Sequence, residues 1–277
     1  MKKADIIVIA GQSNAVGCSE VRCLPKHFPA NRIKKWSDGY ENIKINYFSH
    51  NKKSGGFVKT AFYCTALDED TFGPEVGIAE ALDEKYPGKE FFIVKCAFGG
   101  VTLYHDFFSP SCGGKYDPGS TADETGSSAP GGCYNELVKI VSESLDLLKK
   151  SGYEPEIKAF CWMQGESDAN NEDATAAYER NYGALLHDIK TRFSGYADGC
   201  RFIDAGISTV WERYERINEI KREYAETHAD CVFIDTIGEG LTTMSEPFEQ
   251  PDIGHYDSDS MIKLGRLFSE GFPPFDN

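Results

Sequence analysis

The chain has 277 residues, enough for one sizeable core, and its 40% hydrophobic and 26% charged residues are the ordinary balance of a globular protein. A formal net charge of −15 speaks against nucleic acid or an anionic membrane as a partner, since phosphate recognition needs clustered Lys and Arg. No apolar run approaches the roughly 20 residues of a membrane span. The first apolar stretch already carries a structured turn, which leaves no room for a signal peptide and points to a cytoplasmic protein.

Ile6 to Ile9 are four large apolar residues in a row, the pattern of a strand buried on both faces in a parallel sheet. The run stops at Ala10-Gly11 and presents Gln12, Ser13 and Asn14 in succession. Gly11 permits a sharp turn, and a serine just past the carboxyl end of a central strand stands where open α/β sheets bind ligands. Capping of a helix by Ser13 is the plain alternative. Residues 18–73 show no clean periodicity and read as a long irregular excursion, with a short hairpin around Ile43 to Phe48. A loop of that length can wall a substrate cleft. Pro74, Glu75, Val76, Ile78 and Leu82 then predict a helix with Pro74 at its first position, ended by Tyr86-Pro87-Gly88.

Phe91 to Cys96 is the second buried strand and ends in Ala97-Phe98-Gly99-Gly100. Between 103 and 132, Gly, Ser, Pro and Asp predict an extended loop over the same end of the sheet. Leu137, Ile140, Val141, Leu145 and Leu148 fall at helical spacing. Ile157 to Trp162 is a third strand, followed by Met163-Gln164-Gly165-Glu166-Ser167-Asp168. Asn171 can cap a helix whose stripe is Tyr178, Tyr182, Leu185, Leu186, Ile189 and Phe193. Arg201 to Ile207 is strand four, Ile217, Ile220 and Tyr224 mark a helix, and Cys231 to Ile234 is strand five. Pro251 to Asp257 leads into a last helix with Met261, Leu264, Leu267 and Phe268 inward. The alternation predicts an α/β fold with a mostly parallel five-stranded sheet sandwiched by helices. Residues 1–277 form one domain with long loops at about 18–73 and 103–132.

Nine cysteines are scattered through strands (Cys96, Cys161, Cys231) and loops (Cys18, Cys23, Cys64, Cys112, Cys133, Cys200). They read as small buried hydrophobes in a reducing compartment, and no C-x-x-C pair suggests zinc. Cys112 and Cys133 flank a Gly-rich loop, where a disulfide is the alternative.

In a parallel sheet all strand C-termini lie along one edge, so Gln12-Ser13-Asn14, Gly99-Gly100 and Gln164-Gly165-Glu166 can converge, joined by Asp252 and His255. Acyl transfer needs a nucleophile, a base, an orienter and oxyanion donors. Ser13 is the candidate nucleophile and His255 its base, with Asp252 three residues earlier accepting the other ring N–H. Donors would be the backbone N–H of Ser13, that of Gly99 or Gly100, and the Gln164 amide. Each element also has a plain reading: a tight turn at Gly99-Gly100, caps at Gln164 and Glu166, a turn after Pro251. Glu166 could orient His255 in place of or beside Asp252, and Glu75 is either structural or in touch with the site. His27, His50, His105, His187 and His228 read as surface or packing residues, His105 being nearest in sequence to Gly99-Gly100.

Taken in order, Gly11-Gln12-Ser13-Asn14, Phe72-Gly73-Pro74-Glu75, Gly99-Gly100, Trp162 to Asp168 and Asp252-x-x-His255 resemble the blocks of a known group. These are the SGNH-type hydrolases of the sialate O-acetylesterase and acetylxylan esterase group, carbohydrate esterase family six. The resemblance implies a flavodoxin-like three-layer α/β/α sandwich and serine-dependent removal of O-acetyl groups from carbohydrates, with no cofactor and no metal. It implies Ser13 as nucleophile, His255 as base and Asp252 as its partner, with Ser13, Gly100 and Gln164 around the oxyanion. Gln12, Asn14 and Glu166 belong to the same blocks and are candidate site residues. The wider superfamily has Asn where Gln164 stands. A general short-acyl esterase or thioesterase, and a sugar-binding protein without the chemistry, are the competing readings. Trp36, Tyr40, Phe57, Tyr104, Phe107, Phe108 and Tyr116 could stack on sugar rings or pack in the core.

Overall fold

A computed structural model describes residues 2–62, 70–123 and 125–275, and among these lie ten strands and eight α-helices. Cys64, read above as a loop cysteine, lies outside the described residues. β1 (Lys2–Gly11) runs into a one-turn helix α1 (Ser13–Val16), then β2 (Ser19–Glu20), α2 (Ala30–Asp38), β3 (Tyr40–Ser49), β4 (Lys52–Lys53), β5 (Val58–Thr60) and β6 (Thr71–Phe72). Next come α3 (Glu75–Lys85), β7 (Phe91–Ala97), α4 (Gly132–Lys150), β8 (Tyr153–Met163), α5 (Glu166–Ala169) and α6 (Glu172–Arg192). β9 (Arg201–Ala205), α7 (Tyr214–Thr227), β10 (Cys231–Ile234) and α8 (Ser258–Glu270) are the last elements.

The main sheet has the order β10-β9-β8-β1-β7-β3, parallel throughout, with β4 and β5 antiparallel on β3. Every residue from Ala4 to Gly11 is buried, so both faces of β1 are covered, as the apolar run demanded. α4 packs over β1, β3, β7 and β8, while α3 and α8 pack on each other. Two glycines allow that second contact: a Cβ on Gly77 would lie 2.2 Å from the Ile262 carbonyl oxygen, and one on Gly265 2.2 Å from that of Pro74. From β1 the chain moves to the β7–β3 side and then crosses to β8. The sheet therefore reverses direction at β1, where open α/β sheets form their ligand crevice.

The reading of residues 18–73 needs correction. The five expected strands are present, but a sixth parallel strand, β3, joins them, and with α2 it occupies much of the supposedly irregular stretch 18–73. Its apolar residues Ile43, Ile45 and Phe48 are buried, yet polar residues interrupt them. Asn46 is buried only because it donates to Ser144 Oγ (2.8 Å) and accepts from Ser54 Oγ (2.7 Å). Such pairing is invisible to a hydropathy pattern. The hairpin expected around Ile43 to Phe48 is not there: these residues run through the continuous strand β3, and the turn into β4 follows at residues 50–51. The alternative of a Cys112–Cys133 disulfide is not seen: all eight described cysteines are free, in line with the leading reading. The Cys112 thiol sits 3.6 Å from Ser109 Oγ, while that of Cys133 donates to the Gly126 carbonyl at 3.4 Å.

Smaller differences concern ends: Pro74 precedes α3 as its cap, and β9 stops at Ala205. The loop 103–132 carries only a short 3-10 turn at Pro110–Cys112, and Asn171 caps α6 by accepting from the Ala174 N–H at 3.0 Å. Among the described residues no helix is long and apolar enough to cross a membrane.

Candidate active site

The site is built on the contact between the ends of β1 and β8. Gly11 has φ +145°, and a Cβ there would stand 1.9 Å from the Met163 carbonyl oxygen, so only glycine lets the two backbones meet. The Gln12 N–H donates to that same carbonyl at 2.9 Å. α1 then starts at Ser13, with Gln12 in the cap position. Ser13 is thus not a helix cap. It is half-buried at the carboxyl end of the central strand, and its Oγ hydrogen-bonds to no group among the described residues.

The second arm is the stretch between β10 and α8. His255 Nδ1 lies 2.6 Å from Asp252 Oδ2, which fits donation of the ring N–H to the carboxylate. Asp252 Oδ1 also accepts from the Gly254 N–H at 3.1 Å, and its main-chain N–H donates to the Glu246 carbonyl at 2.9 Å. Burial disfavours the His255 cation, but a hydrogen bond and charge from Cys18, and then those of Asp252, outweigh it and lift the imidazole to about 9. Cys18 also donates to the Ser13 carbonyl at 3.5 Å, so its thiol lies between the serine turn and the histidine.

Asn14 fastens the two arms together. Its Oδ1 accepts from the Tyr256 N–H (3.1 Å), and its Nδ2 donates to the Gly254 carbonyl (3.3 Å), the two residues on either side of His255. The same Nδ2 donates to Glu166 Oε1 at 2.9 Å. Glu166 is fully buried, which pushes its carboxyl up against the pull of that hydrogen bond. Through Asn14 it is linked to the two neighbours of His255, and among the described residues no hydrogen bond joins it to the ring. Ser19 Oγ donates to the Tyr256 carbonyl (2.7 Å), and Tyr256 OH to that of Gly206 (3.1 Å), anchoring this irregular stretch from two more sides.

Gly100, with φ +69°, presents its backbone over open space: a Cβ there would meet nothing within 4 Å. The N–H groups of Ser13 and Gly100 have no acceptor among the described residues. Gln164 differs from expectation. It is fully buried, and its Nε2 is committed to Asp168 Oδ2 (2.5 Å), Gln12 Oε1 (3.2 Å) and the Val101 carbonyl (3.3 Å). An amide nitrogen has two hydrogens, so this one has none to spare for an oxyanion. Gln12 is likewise buried, its Oε1 also accepting from the Ser167 N–H at 3.2 Å. Both glutamines brace the site from below.

Comparison with known proteins gives the family and the fold. The sequence model described as "Carbohydrate esterase, sialic acid-specific acetylesterase" matches residues 3–272. The chain belongs to that family. No curated protein matches it in sequence. Among solved structures, this acetylesterase is similar in fold to NanS, with 18% identity, TM-score 0.68, and 98% and 97% of the two chains covered. A protein from Arabidopsis thaliana has 18% identity and TM-score 0.67, with 97% of each chain covered. A carbohydrate acetylesterase from Xanthomonas citri has 12% identity and TM-score 0.60, over 97% of this chain and 55% of the other. The mostly parallel sheet flanked by helices is the SGNH-type carbohydrate esterase fold, and the chain is a carbohydrate acetylesterase.

Several supports of the candidate site carry no obvious sequence signal. Lys95, in the middle of the apolar strand β7, is fully buried, and its Nζ donates to Glu75 Oε2 (2.6 Å) and to the Val16 carbonyl at the end of α1 (2.9 Å). Glu75 also accepts from the Gly73 N–H at 3.0 Å. Glu75 therefore props α1 from behind. Lys221, also fully buried, donates to Asp204 Oδ1 (2.8 Å) and to the Gln164 (2.5 Å) and Ala205 (2.8 Å) carbonyls, holding the end of β8. His105 is exposed and pairs with Asp106 at 3.2 Å. Among the described residues no His, Cys, Asp and Glu side chains gather as a metal site.

Proposed function

We propose that this acetylesterase removes O-acetyl groups from a carbohydrate through an acetyl-enzyme on Ser13. Ser13 Oγ attacks the ester carbonyl carbon while its proton passes to His255. The C–O bond to the sugar then breaks, and the sugar oxygen takes the proton back from the imidazolium. Water repeats the sequence on the acetyl-enzyme, with His255 again the base, releasing acetate and restoring the serine. Asp252 holds the ring tautomer and offsets the charge of the imidazolium. The backbone N–H groups of Ser13 and Gly100 receive the oxyanion.

The observation that carries this reading is the Asn14 clamp. It ties the residue after Ser13 to both neighbours of a histidine already paired with an aspartate. The substrate class follows from the family, and an acetylated sialic acid or acetylated xylo-oligosaccharide is the expected ester. Of the aromatic residues considered for sugar stacking, Trp36, Tyr40, Phe107 and Phe108 belong to the core. Tyr104, half-exposed four residues past Gly100, is the one best placed for a sugar ring.

Acetate release from acetylated sialic acid, acetylated xylo-oligosaccharides and a simple aryl acetate tests the class. Higher kcat/KM on one of the sugars supports it. Equal or better turnover of the aryl ester favours a general short-acyl esterase, and sugar binding without acetate release favours a binding protein.

A further inference from the structure

We propose that Asp168 is a positioning residue for the oxyanion site, holding the Gly100 loop in register with Ser13 through a buried hydrogen-bond chain. The assignment rests on the esterase reading above and adds to it a residue that never touches substrate.

The loop after β7 has no regular structure to fix it until the short turn at Pro110. Its alignment depends on a few polar contacts, and three of those near Gly100, one of them through Gln164, lead to one carboxylate. Asp168 Oδ1 accepts the Tyr104 N–H (3.0 Å), and its Oδ2 accepts the Leu103 N–H (2.9 Å) and Gln164 Nε2 (2.5 Å). Gln164 reaches back to the Val101 carbonyl at 3.3 Å and across to Gln12 Oε1 at 3.2 Å. Gln12 immediately precedes Ser13, and Val101 immediately follows Gly100. One chain, Gln12 to Gln164 to Asp168 to Leu103 and Tyr104, therefore spans the gap between the two candidate oxyanion donors.

Both Asp168 and Gln164 are fully buried, so water cannot replace a lost contact. The chemistry also selects the residue type. Three N–H groups converge on Asp168, and an ionised carboxylate is the side chain that only accepts. An asparagine of the same shape would set its own N–H against one of them. Thr102 is fixed separately, its N–H and hydroxyl donating to Asp106 Oδ2 at 2.7 and 3.0 Å, so a lesion at Asp168 leaves the middle of the loop folded. What it loses is the distance between Gly100 and Ser13.

The test is Asp168→Asn, with Asp168→Glu as a second variant that keeps the charge but displaces the oxygens by one methylene. Rates are normalised to the concentration of titrated active serine, so that partial unfolding does not count. The expected result in each variant is a kcat lower by about 10- to 100-fold, the range for a displaced catalytic donor. KM should stay within about threefold, because ground-state binding is untouched. Affinity for phenylboronic acid, whose tetrahedral adduct places an oxygen in the oxyanion site, should fall in parallel with kcat. If either folded variant keeps wild-type kcat, or loses only KM, the assignment is overturned. Should Asp168→Asn not fold, Asp168→Glu decides alone. Ser13→Ala run alongside separates the two levels. If it still releases acetate, the serine reading fails. If it is dead while the Asp168 variants are fully active, only the positioning role fails.

Discussion

Replacing Asn14 by alanine should damage folding and catalysis together, and its cost can be worked from three contacts. The Asn14 side chain is 2% exposed and serves the Tyr256 N–H, Glu166 Oε1 and, more weakly at 3.3 Å, the Gly254 carbonyl. Truncation leaves a backbone donor and a carboxylate oxygen buried without partners, at about 1–3 kcal/mol each, so about 2–6 kcal/mol in all. Glu166 is already short of partners: among the described residues its Oε2 is buried without a hydrogen bond. A double-mutant cycle with Glu166→Ala isolates the shared part. The coupling should be about 1–3 kcal/mol, the worth of a buried side-chain hydrogen bond. Denaturant unfolding of the four proteins at one pH measures it. The kcat of Asn14→Ala, per folded molecule, should fall by about 10- to 100-fold as His255 drifts from Ser13. Additivity within about 0.5 kcal/mol, or an unchanged kcat, would refute the clamp.

Two further outcomes follow from charge. His255 is lifted to about 9, so the imidazolium persists at neutral pH and the neutral base grows in only as pH rises. kcat/KM should climb from neutrality toward about 9, and Asp252→Asn should move that limb to lower pH; a flat profile or an upward move contradicts the pairing. Lys95→Met removes the buried cation hydrogen-bonded to the Glu75 carboxylate and frees the Val16 carbonyl, which should cost about 3–5 kcal/mol. Adding Glu75→Gln should recover part of that loss in thermal unfolding, and a double variant no more stable than the single one would show that the ion pair is not the cause.

How much was legible depended on where each signal lives. Ile6 to Ile9 and Phe91 to Cys96 announced themselves because a strand buried on both faces must be apolar throughout. Asp252 and His255 were legible because three residues in one irregular stretch are enough for a side-chain contact. β3 was not, since Asn46 satisfies itself inside the protein and breaks the run. Lys95 was read through as part of an apolar strand, its neutralising partner lying 20 residues away. The roles of Gln164 and Asp168 were hidden for a different reason. A motif names residue types near a strand end, but which way an amide points is decided by neighbours such as Gln12, Val101 and Leu103 from other segments. The strongest backbone partners, the Leu103 and Tyr104 N–H groups, leave no mark in a sequence at all.

The esterase account stands on Ser13 as the group His255 serves, and Cys18 is the competing nucleophile within its reach. Steady-state acetate release by wild type, Ser13→Ala and Cys18→Ala on the best sugar ester puts the question directly. The account predicts a loss of at least about 10⁴-fold in folded Ser13→Ala, with Cys18→Ala still turning over. Release by Ser13→Ala together with a dead Cys18→Ala would contradict it.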